Sequence, residues 1–120
     1  MSGKGASEWD LSKAIGHKME PYEQKITNKD IILYALGLGF QKDPLNRDHF
    51  NFSYENGDEF QSFPTMGVVV AHRLSLDKLK VPGMPRFNPM MLLHGEESCE
   101  VFKPIEADQT IVVQETLLDL

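Results

Sequence analysis

The sequence predicts an α+β domain, and three stretches carry that prediction. Thr27-Asn28-Lys29-Asp30 has capping-box spacing ahead of an apolar run at residues 31–38, which reads as a short helix. Residues 92–102 and 110–118 read as two strands, separated by Lys103-Pro104 and a turn at Glu106-Ala107-Asp108-Gln109. Phe50, Phe52 and Tyr54 alternate with Asn51, Ser53 and Glu55, the period of a half-buried strand. Two strands joined by a short turn make an antiparallel pair.

The bulk composition bounds the rest. At 120 residues the chain is one domain at most, and a chain of this length buries about two-thirds of its unfolded surface. Hydrophobic residues make up 41%, too many for a disordered chain. The net charge is −6 with lysine and arginine scattered, which argues against a nucleic-acid surface. Cys99 is the single cysteine, so there is no internal disulfide framework and a reducing compartment is expected. No apolar run reaches the roughly 18 residues that would span a bilayer. The first ten residues have neither a secretory apolar region nor a glycine after Met1, and the last four do not form a peroxisomal S-K-L address. A soluble, intracellular protein is the expectation.

Taken in order, residues 1–8 are small and polar and read as a disordered tail, leaving residues 9–120 as the domain. Residues 9–15 begin the ordered part, which Gly16-His17-Lys18 breaks. Residues 19–26 contain Pro21 and read as an irregular or edge segment. In the helix at 31–38, Ile31, Ile32, Ala35, Leu36 and Leu38 surround most of the axis, so burial on more than one side is expected. Gly37 and Gly39 close it. Residues 41–49 form a polar loop around Pro44, and Asn56-Gly57-Asp58 is a turn after the alternating segment. Pro64 suits the first position of a second helix carrying Met66, Val69, Val70, Arg73 and Leu74, although β-branched Val68-Val69-Val70 opposes it. Residues 81–89 hold three prolines and Gly83 and read as an extended loop.

In the final strand Ile111 and Val113 should face one way, Val112 and Leu118 the other. The last ten residues still read as a buried strand, with no return strand after them. A sheet of that kind would leave a long apolar edge unprotected. The expectation is an incomplete fold, completed by further residues of a longer chain or by another polypeptide.

Four segments together resemble one family: D-I-I-L-Y-A-L-G-L-G at residues 30–39, F-N-F-S-Y-E at 50–55, F-P-T-M-G-V-V at 63–69, and L-H-G-E-E-S-C-E-V-F-K-P-I at 93–105. Their order and spacing resemble the N-terminal half of enoyl-CoA hydratase 2, the MaoC-like hydratase unit of peroxisomal multifunctional enzyme type 2. The resemblance implies a hot-dog fold, here an incomplete half of a double hot-dog in which an antiparallel sheet wraps a helix. It further implies a parent activity: addition of water to a trans-2-enoyl-CoA of fatty-acid β-oxidation, giving the (3R)-3-hydroxyacyl-CoA. The ligand is an acyl-CoA, used as substrate, with no metal or redox cofactor. A peroxisomal location follows by resemblance, with the mitochondrion as the other option, and an oligomer is expected.

The same resemblance makes His94 and Gly95 the substrate-contacting pair. Read without it, a histidine at a strand entrance is more often structural. The family's catalytic aspartate and histidine lie in a motif of the form G-D-x-N-P-x-H, which is absent from this sequence: the only Gly-Asp pair, Gly57-Asp58, continues into Glu59-Phe60. The chain alone is therefore expected to be inactive, as the substrate-tunnel half of the enzyme. The alternative is a non-catalytic hot-dog subunit completed by a neighbour in a larger assembly. A third reading is an acyl-CoA-binding module, distinguished by CoA binding without turnover.

Other residues divide between chemistry and architecture. Tyr34, Phe40, Phe60, Phe63 and Met66 are candidates for an acyl tunnel, since such pockets are mainly apolar, and are equally ordinary core residues. Met90 and Met91 share that ambiguity. Alternation makes at least some of Glu96, Glu97 and Glu100 solvent-facing, which weighs against a general-base role. His17, His49 and His72 lack metal-ligand spacing with one another or with Cys99, and Cys99 beside Glu100 is in a poor field for a thiolate. Gly37-x-Gly39 follows a helix rather than a strand and is no dinucleotide loop.

Overall fold

The computed structural model describes residues 9–72 and 80–120. The expected tail at 1–8 and the expected helical positions Arg73 and Leu74 lie outside the described residues. The described chain is α+β, with short helices and a two-stranded antiparallel sheet. It divides into a smaller unit of residues 9–22, 80–97 and 114–120 and a larger one of 23–72 and 98–113.

In the larger unit, β1 (Tyr22–Ile26) starts directly after Pro21, pairs with β2 (Gln109–Val113), and leads into α2 (Asn28–Leu38). The α2 start is fixed by sequence: the Thr27 hydroxyl accepts from Asp30 N at 3.3 Å, and Asp30 Oδ2 accepts from Thr27 N at 2.8 Å. This reciprocal capping box satisfies two backbone donors that the helix itself leaves free. The stop is Gly39, whose φ of 102° is a left-handed conformation that glycine adopts without a Cβ penalty.

Burial on α2 is one-sided, which corrects the expectation of a helix covered on several faces. Ile31 and Ala35 are buried, whereas Leu33 is 57% and Leu36 46% exposed. Ile31 and Ala35 are four apart and share a stripe, while Leu33 and Leu36 project from other faces. Ile26, Ile31 and Met66 form the core, with Tyr34, Phe60, Val70, Ile105, Ala107 and Ile111 packed against it. Burial of each isoleucine stabilises the fold by about 1.5–3 kcal/mol. Ile111 and Val113 face inward and Val112 outward, as the period-two reading requires, but β2 ends at Val113, so the expected strand through Leu118 is cut short and Leu118 lies outside it. Ser62 is buried and donates from Oγ to the Ile105 carbonyl at 2.7 Å.

Three further expectations are corrected here. Residues 50–55 form no strand: a 3₁₀ turn (Arg47–His49) runs into α3 (Phe50–Ser53). Asn46 Oδ1 accepts from Asp48 N at 3.0 Å and starts that turn, and Tyr54 N donates to Phe50 O at 2.9 Å to close it. This local hydrogen bonding overrides the alternation of aromatics. α4 (Met66–Ala71) is helical as expected, but begins two residues after Pro64, which sits in the preceding turn.

The third correction is that residues 92–102 form no strand, so the partner of β2 is β1 rather than that stretch. Strand propensity becomes a strand only where a ladder partner exists. The turn before β2 is present, with Asp108 at φ 57° and Glu106 N donating to Gln109 Oε1 at 3.0 Å.

The smaller unit holds α1 (Leu11–Ala14), broken by Gly16 as expected, and buries Ala14 and Val81. Asp10 N donates to the Gly83 carbonyl at 2.8 Å. Residues 17–19 run antiparallel to 115–117, with Lys18 bridged to Thr116 and Leu117 N donating to His17 O at 3.0 Å. The proline-rich stretch at 81–89 has a turn at Pro82-Gly83 and is otherwise irregular until a 3₁₀ turn at Pro89–Met91.

Candidate functional site

Asn88 creates the local geometry that precedes His94. Its side chain accepts from Met90 N at 3.0 Å and starts the 3₁₀ turn, after which Leu92 is extended. His94 follows on exposed backbone, with Nε2 3.2 Å from Glu97 Oε2. An imidazole beside a carboxylate at that distance can donate to it or, when protonated, pair with it. Gly95 is open: a Cβ built there would meet nothing within 4 Å. Both residues are in the smaller unit.

The five acyl-tunnel candidates all lie in the larger unit, in two groups. Tyr34, Phe60 and Met66 belong to the apolar core around Ile26 and Ile31. The Tyr34 hydroxyl lies 2.6 Å from Thr65 Oγ1, so its polar end is satisfied while the ring packs inward. Phe40 and Phe63 join a second, aromatic group, their centroids 5.4 Å apart. Phe40 also lies 5.0 Å from Phe52 and 4.8 Å from the His49 ring, in the tilted geometries that aromatic quadrupoles favour.

A polar knot holds this aromatic group in place. Gln41 N donates to His49 Nδ1 at 3.1 Å, and Gln41 Nε2 to Asn46 O at 3.2 Å. The Ser53 hydroxyl is shared between Gln41 Oε1 at 2.9 Å and His49 O at 3.0 Å. Phe52 and His49 are the participants that sequence reasoning missed, because residues 50–55 were assigned the period of a strand. Asn46 two residues ahead of Asp48, an Asx-turn signature, was the available signal.

Glu96, Glu97 and Glu100 are exposed, in line with the solvent-facing reading. Cys99 is a free, exposed thiol. Among the described residues no group of three or more His, Cys, Asp or Glu side chains is placed to hold a metal ion, and no helix is long and apolar enough to cross a membrane.

Comparison with known proteins adds what the geometry leaves open. Residues 24–120 match the family described as the MFE-2 hydratase 2 N-terminal domain. A Dictyostelium discoideum protein named "Probable enoyl-CoA hydratase 2" is 36% identical over 113 residues, covering 92% of this chain and 36% of its own length. The Mus musculus peroxisomal multifunctional enzyme type 2 is 33% identical over 110 residues, which is 89% of this chain and 14% of the mouse protein. The peroxisomal enoyl-CoA hydratase 2 of Arabidopsis thaliana is 27% identical over 117 residues, 95% of this chain and 38% of the plant protein. The chain therefore spans well under half the length of these relatives. The match places the chain among hydratase-related domains, and it belongs to the MFE-2 hydratase 2 N-terminal domain family.

Proposed function

We propose that this chain supplies the N-terminal, substrate-tunnel half of a (3R)-specific 2-enoyl-CoA hydratase, with residues 9–120 forming a partial MaoC-like hot-dog domain. The observation that carries the reading is the match of residues 24–120 to the hydratase 2 N-terminal family. His94 and Gly95 contact the CoA thioester: the imidazole offers a polar group on exposed backbone, and the open glycine lets a ligand approach the main chain closely. Tyr34, Phe40, Phe60, Phe63 and Met66 form the apolar wall on the acyl side.

The catalytic aspartate and histidine come from a G-D-x-N-P-x-H segment outside these 120 residues, which contain no such motif. A second polypeptide segment therefore completes both the fold and the active site, within an oligomer. The reaction adds water to an activated double bond, chemistry that a positioned acid–base pair performs without a metal or redox cofactor. Two of the relatives are named as peroxisomal, which favours a peroxisomal rather than a mitochondrial location.

Calorimetric titration with the non-hydratable ligand decanoyl-CoA tests the site. The chain is co-expressed with a C-terminal hydratase 2 polypeptide, and His94→Ala should weaken binding about tenfold, the loss of one hydrogen bond to a charged or polarised group. Unchanged affinity in a folded His94→Ala pair would remove the histidine from the site. Absence of binding by the folded wild-type pair would favour a non-catalytic subunit of a larger assembly.

A further inference from the structure

Gln41 has φ 59°, a left-handed conformation that a residue with a side chain keeps only where its surroundings hold it. Four hydrogen bonds do so here. Gln41 Nε2 donates to Asp43 O and to Asn46 O, each at 3.2 Å, and Gln41 Oε1 accepts from the Ser53 hydroxyl at 2.9 Å. The fourth is the bond made by its main chain, from Gln41 N to His49 Nδ1 at 3.1 Å.

That bond fixes where the imidazole carries its proton. A backbone N–H can only donate, so Nδ1 is the bare, accepting nitrogen and the neutral ring is protonated on Nε2. Nε2 lies 3.4 Å from Asn46 Nδ2, while Asn46 Oδ1 is committed to Asp48 N at 3.0 Å. Turning that amide over would give Nε2–H an acceptor only by setting the Asn46 NH2 group against the Asp48 N–H. Among the described residues, then, both ring nitrogens face N–H groups.

The charged side chains of the surrounding segments are engaged elsewhere or exposed. The Asp43 carboxylate accepts from Leu45 N at 3.0 Å, Lys42 lies along Gly39, and Arg47 and Asp48 are exposed on the 3₁₀ turn. Neither α3 nor the segment around Phe63 carries a charged residue. The imidazole also meets the Phe40 ring at 4.8 Å, and Phe40 in turn lies 5.0 Å from Phe52 and 5.4 Å from Phe63. A cation would be drawn to that ring, but at a half-exposed site this is the weaker effect. A second proton removes the acceptor of Gln41 N and sets two N–H donors against each other.

We infer that His49 is a proton-sensitive clasp: its neutral ring holds Gln41 in the left-handed bend and Phe40 in the aromatic group, and a second proton on Nδ1 releases both. The inference stands on the larger unit alone and needs no ligand. Where the hydratase reading above holds, the release falls on the acyl side, because Phe40 and Phe63 are two of the residues proposed for that wall.

The test follows the 120-residue chain by NMR from about pH 8 to about pH 5, the range in which histidine ordinarily changes charge. At the alkaline end the imidazole nitrogen resonances should show a bare Nδ1 and a protonated Nε2. As the ring takes its second proton, the Gln41 amide should lose about tenfold in protection, corrected for the intrinsic pH dependence of exchange, which is the weight of one hydrogen bond. Proximity signals between Phe40 and Phe52 should weaken over the same range. His49→Asn keeps an acceptor near the Nδ1 position and takes no charge, so Gln41 protection should no longer depend on pH. His49→Phe keeps a ring against Phe40 but has no acceptor, and the Gln41 amide should exchange freely throughout. A proton on Nδ1 at the alkaline end would overturn the inference, as would a Gln41 amide and Phe40 ring that stay unmoved while His49 titrates. A His49→Asn chain that follows the parent's pH course would do the same. If neither variant folds, the parent titration alone decides. Ligand binding and turnover play no part in these readouts, so failure of the clasp and failure of the hydratase reading are distinguishable.

Discussion

Gly83→Ala is the substitution whose cost can be worked most fully from the structure. Gly83 has φ +80°, and a Cβ added there would lie 2.2 Å from the Asp10 carbonyl oxygen, 3.0 Å from Lys13 Cβ and 3.2 Å from the Asp10 carbonyl carbon. The left-handed backbone alone costs an alanine about 1–2 kcal/mol. The nearest clash is with backbone, which does not swing aside as a long side chain would. Relieving it separates residue 83 from Asp10 and breaks the 2.8 Å hydrogen bond from Asp10 N to the Gly83 carbonyl, a further loss of about 1 kcal/mol. The sum is about 2–3 kcal/mol, a large share of the stability of a small domain.

Urea unfolding followed by circular dichroism measures this directly, with Gly95→Ala as the control. A Cβ at Gly95 meets nothing within 4 Å, so that variant should stay within about 0.5 kcal/mol of the parent. If Gly83→Ala unfolds at the same urea midpoint as Gly95→Ala, the close approach of residue 83 to Asp10 is wrong. The placement of the chain leading toward His94 would then be wrong with it.

Two further outcomes follow from local contacts. Thr27→Ala removes the capping box of α2 and should cost about 1 kcal/mol by the same unfolding assay, whereas Thr27→Ser should cost less than half of that. At Asp10, the hydrogen bond from Ser12 Oγ at 2.5 Å, aided by Lys13 at 3.4 Å, holds the carboxyl below its ordinary value despite an opposing effect of desolvation. A depressed folded value means the stabilisation is present above the ordinary carboxylate range and fades as pH falls through the folded value. Ser12→Ala should therefore lower stability slightly on the neutral plateau, with the difference from the parent closing as pH falls through the folded value of Asp10, as read by thermal unfolding across pH.

What could be read from the sequence was the chemistry that acts over three or four residues. Thr27 and Asp30 announce the start of α2, Gly39 its end, and the alternation of Ile111, Val112 and Val113 the inward face of β2. Where partners lie far apart in sequence, the pattern failed in instructive ways. Residues 92–102 have the composition of a strand, yet β2 pairs with Tyr22–Ile26, and no local signal distinguishes one partner from the other. Phe50, Phe52 and Tyr54 alternate like a strand, but the Asn46 turn and the Ser53–His49 hydrogen bond wind the backbone into helix and turn Phe52 toward Phe40. Leu36 and Leu38 read as core and stand exposed, because apolar residues on several faces of a helix need several covering surfaces.

The candidate site was legible only through resemblance. His94 and Gly95 have no spacing that announces a ligand; the structure places Glu97 beside the imidazole and leaves a Cβ built at Gly95 with nothing within 4 Å. The tunnel candidates fared differently: Tyr34, Phe60 and Met66 sit in one apolar core and Phe40 and Phe63 in an aromatic group, so packing accounts for their type whether or not an acyl chain lies against them.

The most direct measurement is hydration of trans-2-decenoyl-CoA, with the product resolved by chiral chromatography. The assay compares the 120-residue chain alone, a C-terminal hydratase 2 polypeptide carrying G-D-x-N-P-x-H alone, and the two co-expressed. The expected result is (3R)-3-hydroxydecanoyl-CoA from the co-expressed pair and none from the 120-residue chain. Turnover by that chain alone, a (3S) product, or no turnover by a folded pair would contradict the assignment of this chain as the non-catalytic half of a hydratase.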